Sequence, residues 1–343
     1  MALITQCCAS TRGGNSDCGA IADFHKHHKV TTTPAESAAL AVRNGCDLNC
    51  GSVYDHLLQA VEEDLLTEEE IDRSLRRLLS TRFRLGMFDP PERNPYACTP
   101  VTEVSTQQNR RLAREAAQES VVLLKNDDQL LPLPKDIARI GVVGPTAADI
   151  QVLLGNYNGL NAQLVTLLEG IVGKVSAQTS VYYHAGCHFT RDAGCGPRLA
   201  GMPNRPEVVI IGLGLTTLHH GEEGEAMDNT NGGDLERVEL PEAQLAYLRA
   251  VAQRGIPIVA VVSGGGALAI PEVHELADAV LMMWYPGEQG GNAVADILFG
   301  DAVPSGRLPV TCPFSTDDLP DFETCAMVGR AYRYPGKNPL YPV

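Results

Sequence analysis

The chain predicts an α/β fold with a largely parallel sheet, and three observations carry that prediction. Short apolar runs recur beyond residue 105: VVLLKN, IGVVG, SVYYHAG, EVVIIGLG, PIVAVVSGGG and AVLMMWYPG. Runs of this length, rich in β-branched residues, read as strands buried on both faces. Segments of helical character separate several of them, the alternation that builds a layered α/β domain. Finally, residues 87–104 carry Pro90, Pro91, Pro95 and Pro100 and read as an extended interdomain linker.

The composition narrows the function classes. At 343 residues the chain can bury one large core or two medium ones. A formal net charge of -15 argues against sequence-nonspecific nucleic-acid binding, because neutralising phosphates needs clustered lysine and arginine. It suits a neutral substrate instead. No apolar run is long enough to cross a bilayer, and MALITQCCASTRGG lacks the basic start and continuous apolar core of a signal peptide. The 10 cysteines are scattered and show no zinc-ligand spacing.

Taken in order, the elements are expected as follows. HKHHK at 25–29 clusters imidazoles without carboxylate or thiolate spacing and reads as a solvated or pocket-rim loop, not a metal site. PAESAALAVRNG from Pro34 predicts an alanine-rich helix closed by Gly45. CDLNCG supplies a strand with Asp47 near its end, a carboxylate that either stabilises the loop or touches a pocket. TEEEIDRSLRRLLSTRFRLG predicts a helix with Thr67 and Glu70 as a capping box. Its apolar face is Ile71, Leu75, Leu78, Leu79 and Phe83, while Arg73, Arg76 and Arg77 take a solvated side. Ser105 and Gln108 are expected to cap a helix through Ala117, with further helical segments over 147–154, 163–172, 241–253 and 289–299.

Five motifs, in this order and spacing, resemble glycoside hydrolase family 3, and its β-xylosidase-like branch in particular. They are SDCGAI at 16–21, DLNCG at 47–51, ESVVLLKN at 119–126, LGNYNG at 154–159 and WYPGEQGGNAVADILFGDAVPSGRLPVT at 284–311. The resemblance implies the last strands and helices of a (β/α)8 barrel over 1–86, the linker over 87–104, and an α/β sandwich domain over 105–343. The helix from Pro34 would then link the last two barrel strands. STRGGN before Asp17 lacks the β-branched run such a strand should have, so that strand is expected to be damaged or replaced. Between Cys187 and Glu207 the family usually carries a helix, and here HFTRDAGCGPRLAGMPNRP reads as loop.

The resemblance also assigns chemistry. SDCGAI carries the family's nucleophile, which places that role on Asp17. Cys18 and Cys50 are implied to be bridged at the pocket wall. The loop after VVIIGLG offers Glu222, Glu223 and Glu225, and crowding of these carboxylates favours a raised proton affinity in one of them. Relatives carry an E-x-E pattern whose first glutamate is the general acid/base. EGE at 223–225 matches it, giving Glu223 the role, with Glu225 second. A retaining glycosidase needs such a pair about 5 to 5.5 Å apart and no cofactor. An oligosaccharide or aryl glycoside is the expected partner, and an extracellular or secreted setting is what the family implies. A non-catalytic remnant is the alternative, and a nucleotide-binding α/β protein a weaker one, since no glycine cluster completes a phosphate-binding motif. Lys125 and Asn126 read as structural, and Trp284 as either a sugar platform or packing.

Overall fold

The computed structural model describes residues 14–159, 161–191, 205–220, 235–321, 329 and 339–341. The chain forms two compact units, Met1–Val101 and Thr102–Val343.

In the first unit, strand β1 (Gly14–Asn15) pairs parallel with β2 (Cys46–Leu48). Helices α1 (Ala20–Lys26) and α2 (Pro34–Arg43) lie between them in sequence. β1 starts at the first described residue, so the expectation of a damaged or replaced strand before Asp17 falls on 10–13, which lie outside the described residues. Thr33 and Glu36 close a reciprocal capping box around the start of α2, and Pro34 supplies the fixed φ that suits a first helical position. Two small clusters hold this unit, one around Ile21, Phe24, Ala38, Ala41, Cys46 and Val53, the other around Ala35, Ala39, Val42, Ala60 and Leu66. α3 (Leu57–Glu62) follows β2, and α4 (Glu68–Arg84) starts with the predicted Thr67–Glu70 box.

The apolar face expected on α4 is only partly covered. Ile71, Leu78 and Leu79 are half-buried, whereas Leu75 is 45% and Phe83 65% exposed. The solvated arginine face needs a correction at Arg77. Its guanidinium donates to Asp47 Oδ1 at 3.1 Å, and the Asp47 side chain is fully buried. A buried carboxylate requires a charged or hydrogen-bonding partner, and the helix supplies it. The HKHHK segment carries no metal-binding arrangement among the described residues. His25 Nδ1 instead lies 2.9 Å from the Ser37 hydroxyl.

The second unit is a six-stranded sheet in the order β3-β8-β7-β6-β4-β5. Its strands are β3 (Val122–Asn126), β4 (Arg139–Val143), β5 (Ser180–His184), β6 (Val208–Gly214), β7 (Ile258–Ser263) and β8 (Ala279–Met282). All neighbours pair parallel except β3, which runs antiparallel to β8. Successive side chains alternate faces: Val208 and Ile210 join one cluster, Val209, Ile211 and Leu213 the other. Each fully buried valine or isoleucine in such a strand contributes about 1.5 to 3 kcal/mol. Cluster residues of α6 (Leu167–Lys174) and α9 (Gly290–Leu298) cover the first face, and those of α7 (Glu242–Ala252) and α8 (Pro271–Leu276) the second. α5 (Gln107–Ser120) precedes β3.

Three boundaries differ from expectation. The cap of α5 is Thr106, whose side chain accepts from Asn109 N–H, and not Ser105, which sits at φ 58°. Residues 147–154 hold only a short 3-10 turn at Ile150–Leu153, started by the Asp149 side chain on Gln151 N–H. The helix expected from residue 163 begins at Leu167, because Thr166 and Glu169 form a capping box there. Of the loop expected between Cys187 and Glu207, residues 192–204 lie outside the described residues.

The two residues read as structural in LLKN have defined partners. Lys125 Nζ donates to the carbonyls of His274 and Ala277 at 2.8 Å, closing the end of α8. The Asn126 amide bonds both the N–H and the C=O of Leu131. Trp284 is half-buried against the second cluster and donates its indole N–H to Ser120 O at 3.1 Å, which is a packing role.

Candidate active site

The nucleophile candidate sits on a turn fastened to the segment after β2. Asp17 lies two residues past the end of β1 and is exposed. Ser16 N–H donates to Leu48 O at 2.9 Å, Cys50 N–H to the Ser16 hydroxyl at 3.0 Å, and Gly19 N–H to Cys50 O at 2.9 Å. The Cys18–Cys50 disulfide, with its Cα atoms 4.4 Å apart, adds a covalent tie. Gly19 then opens α1 at φ 79°, a conformation that a residue with a Cβ adopts only with strain. The Asp17 Oδ1 atom accepts from Cys18 N–H at 2.8 Å, which fixes the carboxylate and leaves it facing solvent.

Asp47 takes the loop-stabilising role of its two readings. Its Oδ2 accepts from Gly14 N–H at 3.1 Å while Oδ1 takes Arg77. It thereby joins β1, β2 and α4, and its buried carboxylate has no open face for a substrate. The bridge closes a loop of 32 residues, so by chain entropy its loss costs about 2 to 5 kcal/mol. Cys50→Ser is expected to lower Tm and to speed amide exchange at Cys18, Gly19 and Ala20. Unchanged exchange there would show that the hydrogen bonds alone hold the turn.

The acid/base candidates Glu222, Glu223 and Glu225 lie outside the described residues. The structure does describe the strand end from which their segment departs. β6 finishes at Gly214, and Leu215 to His220 make a turn in which His219 and His220 N–H both donate to Thr216 O at 3.0 Å. The Thr216 hydroxyl is 2.9 Å from His219 Nδ1, and the buried His219 ring stacks on Phe189 with centroids 4.7 Å apart. The turn lies at the carboxyl ends of parallel strands, where open α/β sheets place their sites. A cavity of about 570 Å³ opens beside it, lined in part by Leu215, His219, Arg237, Glu239 and Leu245. Glu239 is already engaged there. Burial would raise its carboxyl, but bonds from Thr316 N–H and hydroxyl, together with Arg237, outweigh burial and hold it below the usual glutamate range.

Sequence reasoning missed Gln244, which is fully buried one helix away. Its Oε1 accepts from Gly214 N–H at 2.8 Å, and its Nε2 donates to Gly214 O at 2.8 Å and Phe189 O at 3.0 Å. A signal existed: Gln244, Tyr247, Leu248 and Val251 recur at helical spacing, which puts the glutamine on the buried face of α7.

With this geometry in place, comparison with known proteins identifies the class. Residues 121–343 match the family model for the glycosyl hydrolase family 3 C-terminal domain, and the chain belongs to that family. Its α/β sandwich, with a mostly parallel sheet, is the fold of that domain.

Among individual proteins, the chain is 27% identical to a xylan 1,4-beta-xylosidase of Xylanibacter ruminicola, over 93% of this chain and 54% of that protein. It is 38% identical to a probable exo-1,4-beta-xylosidase of Aspergillus fumigatus, over 86% of this chain and 37% of that one. Among solved structures it resembles a GH3 exo-beta-xylosidase in complex with a xylobiose aziridine activity-based probe, with a TM-score of 0.81 and 28% identity. That match covers 96% of this chain and 43% of the other. The chain thus spans about half the length, or less, of the relatives it matches. Among the described residues, no helix is long and apolar enough to cross a membrane.

Proposed function

We propose that the chain carries the catalytic carboxylates of a retaining glycosidase acting on terminal, non-reducing, β-linked sugars of the β-xyloside type. Residues 1–86 serve as the barrel portion, 87–104 as the linker and 105–343 as the sandwich domain. The observation that carries this reading is the Asp17 carboxylate, exposed on a turn that three hydrogen bonds and a disulfide hold rigid. Nucleophilic catalysis needs a carboxylate of that kind, fixed in position and open to substrate.

In the first step an Asp17 oxygen bonds the anomeric carbon as the glycosidic bond breaks, and the Glu223 carboxyl gives its proton to the leaving oxygen. In the second, the Glu223 carboxylate takes a proton from water. The hydroxide so formed bonds the anomeric carbon and releases Asp17 and the free sugar. Neither step calls for a cofactor. Glu225 is the alternative acid/base, and Glu222 the next. A secreted or extracellular setting accords with this substrate class.

The test is hydrolysis of aryl β-xyloside, β-glucoside and α-arabinofuranoside by the chain beside Asp17→Asn and Glu223→Gln. A general acid contributes about 10² to 10⁴-fold, so Glu223→Gln is expected to lose that much on poor leaving groups and less on activated aryl ones. Wild-type turnover no greater than that of the variants would sink the catalytic reading.

A second reading is a non-catalytic interaction module. It is favoured by the apolar residues that the first unit leaves exposed, among them Leu58 at 70%, Phe83 at 65% and Leu85 at 62%. The same assay separates the two.

A further inference from the structure

An asparagine followed by glycine can react with its own chain, because the glycine nitrogen has no Cβ beside it to hinder its approach to the asparagine side-chain carbonyl. The sequence holds three such pairs, at 44–45, 158–159 and 231–232. The last lies outside the described residues, and the other two sit in opposite surroundings.

Asn44 is locked. It caps the C-terminal end of α2, where its Nδ2 donates to Leu40 O at 2.7 Å and the N–H of buried Gly45 donates to Val42 O at 3.0 Å. The nitrogen that would attack is bonded, and the amide that would leave is tethered. Asn158 has neither restraint. Residues 156–159 are all exposed, and a Cβ built on Gly159 would meet nothing within 4 Å. Among the described residues Gly159 N–H makes no hydrogen bond. The Asn158 side chain folds toward the peptide that must attack it, with Nδ2 3.3 Å from Gly159 O. On either side the chain is tied down, Leu153 O accepting from Gly287 N–H at 2.8 Å and Val165 N–H donating to Glu288 O at 2.9 Å. A change confined to 156–159 breaks neither tie.

We propose that Asn158 is a site of spontaneous deamidation, at which the folded chain and water produce aspartate and isoaspartate. The Gly159 nitrogen gives up its proton to water and bonds Asn158 Cγ. The Cγ–Nδ2 bond breaks, and ammonia leaves with the proton returned to it. Water then opens the cyclic imide at either carbonyl, so one water is consumed and one ammonia released with no change of oxidation state. The turn gains a carboxylate, one charge beyond the formal -15, and the isoaspartate form also lengthens the backbone by a carbon. This inference stands apart from the glycosidase reading.

The experiment holds the full chain in mildly alkaline buffer, folded and in denaturant, and follows it by peptide mass mapping and isoelectric focusing. Mapping keeps products at Asn231 apart from those at Asn158. Reaction at Asn44 first requires the end of α2 to open, which breaks two hydrogen bonds, so in the folded chain Asn158 is expected to convert at least about tenfold faster. In denaturant the two rates should converge, because the dipeptide is the same and the fold is gone. Asn158→Gln, which must close a larger ring, is expected to remove the acidic species mapped to that position. Gly159→Ala places its methyl in open space and is expected to fold normally and react more slowly. Asn44 keeping pace with Asn158 in the folded chain, a rate ratio that denaturant leaves unchanged, or conversion undiminished in Gly159→Ala would overturn the proposal. So would an Asn158 that reacts only once the chain is unfolded.

Discussion

Asp17→Asn is expected to lower turnover of an aryl β-xyloside by about four orders of magnitude, the scale on which removal of a covalent nucleophile is felt. It should leave Tm unchanged. Among the described residues the exposed side chain makes one hydrogen bond, accepting from the neighbouring Cys18 N–H at Oδ1, and an asparagine oxygen can accept it equally well. Stability and activity therefore separate at this position. A variant that lost both would mean that Asp17 holds the turn, and one that lost neither would remove it from the mechanism. Kinetics and a thermal melt on the same preparation decide among these outcomes.

The second large effect concerns stability. Asp296 on α9 is buried, and its carboxylate accepts from Arg114 Nε and a terminal guanidinium nitrogen at 2.5 Å each, from Gln118 Nε2 at 2.5 Å, and from Lys174. Lys174 also reaches Asp301 at 2.7 Å, and Asp301 pairs with Lys135. One carboxylate thus ties α5, α6 and α9. Asp296→Ala is expected to cost about 3 kcal/mol, because it leaves the half-buried Arg114 without its carboxylate and Lys174 with Asp301 alone. A denaturant melt checks it, and a loss under about 1 kcal/mol would show that solvent reaches the cluster freely.

The network also has a pH signature. Burial by itself would raise the Asp296 carboxyl, but the bonds from Arg114 and Lys174 outweigh it and hold the group below its usual range. Lys135 and Lys174 hold Asp301 down to about 2. Both groups bind protons less readily folded than unfolded. Their contribution is complete above the ordinary carboxylate value of about 3.9 and is lost as pH falls from there toward about 2. Asp296→Ala should flatten the acid limb of the stability profile across that window.

The central strands β6 and β7 were readable because burial on both faces leaves almost no polar position in them. VVIIGLG and PIVAVVS need no partner to be recognised, and β6 and β7 are buried at every residue. Capping boxes were equally plain at Thr67, since the hydrogen bonds that define them are local in sequence. Short helices escaped for the opposite reason. α3 and α8, six residues each, have too few turns to show a period, and packing against their neighbours holds them. The same holds for 147–154, where buried Val152 and Leu153 looked helical but sit in a turn set by Asp149.

Of the candidate site, the SDCGAI and DLNCG motifs led to the bridged cysteines through family resemblance. Arg77 and Gln244 stayed hidden, because each is explained only by a partner some thirty residues away, Asp47 and Gly214 respectively. The helical spacing could place Gln244 on a buried face, but the partner of a hydrogen bond across that separation leaves no local pattern to read.

Gly170 on α6 and Gly291 on α9 meet backbone to backbone, with no room for even a methyl group on either. Two rods seated that closely cannot slide or roll independently. They behave as a single plank, with the Asp296 charges pinned near one end and the sheet glued beneath. Any rearrangement that admits or releases a ligand must then bend the chain outside this slab, at the loops that rise from the strand tips.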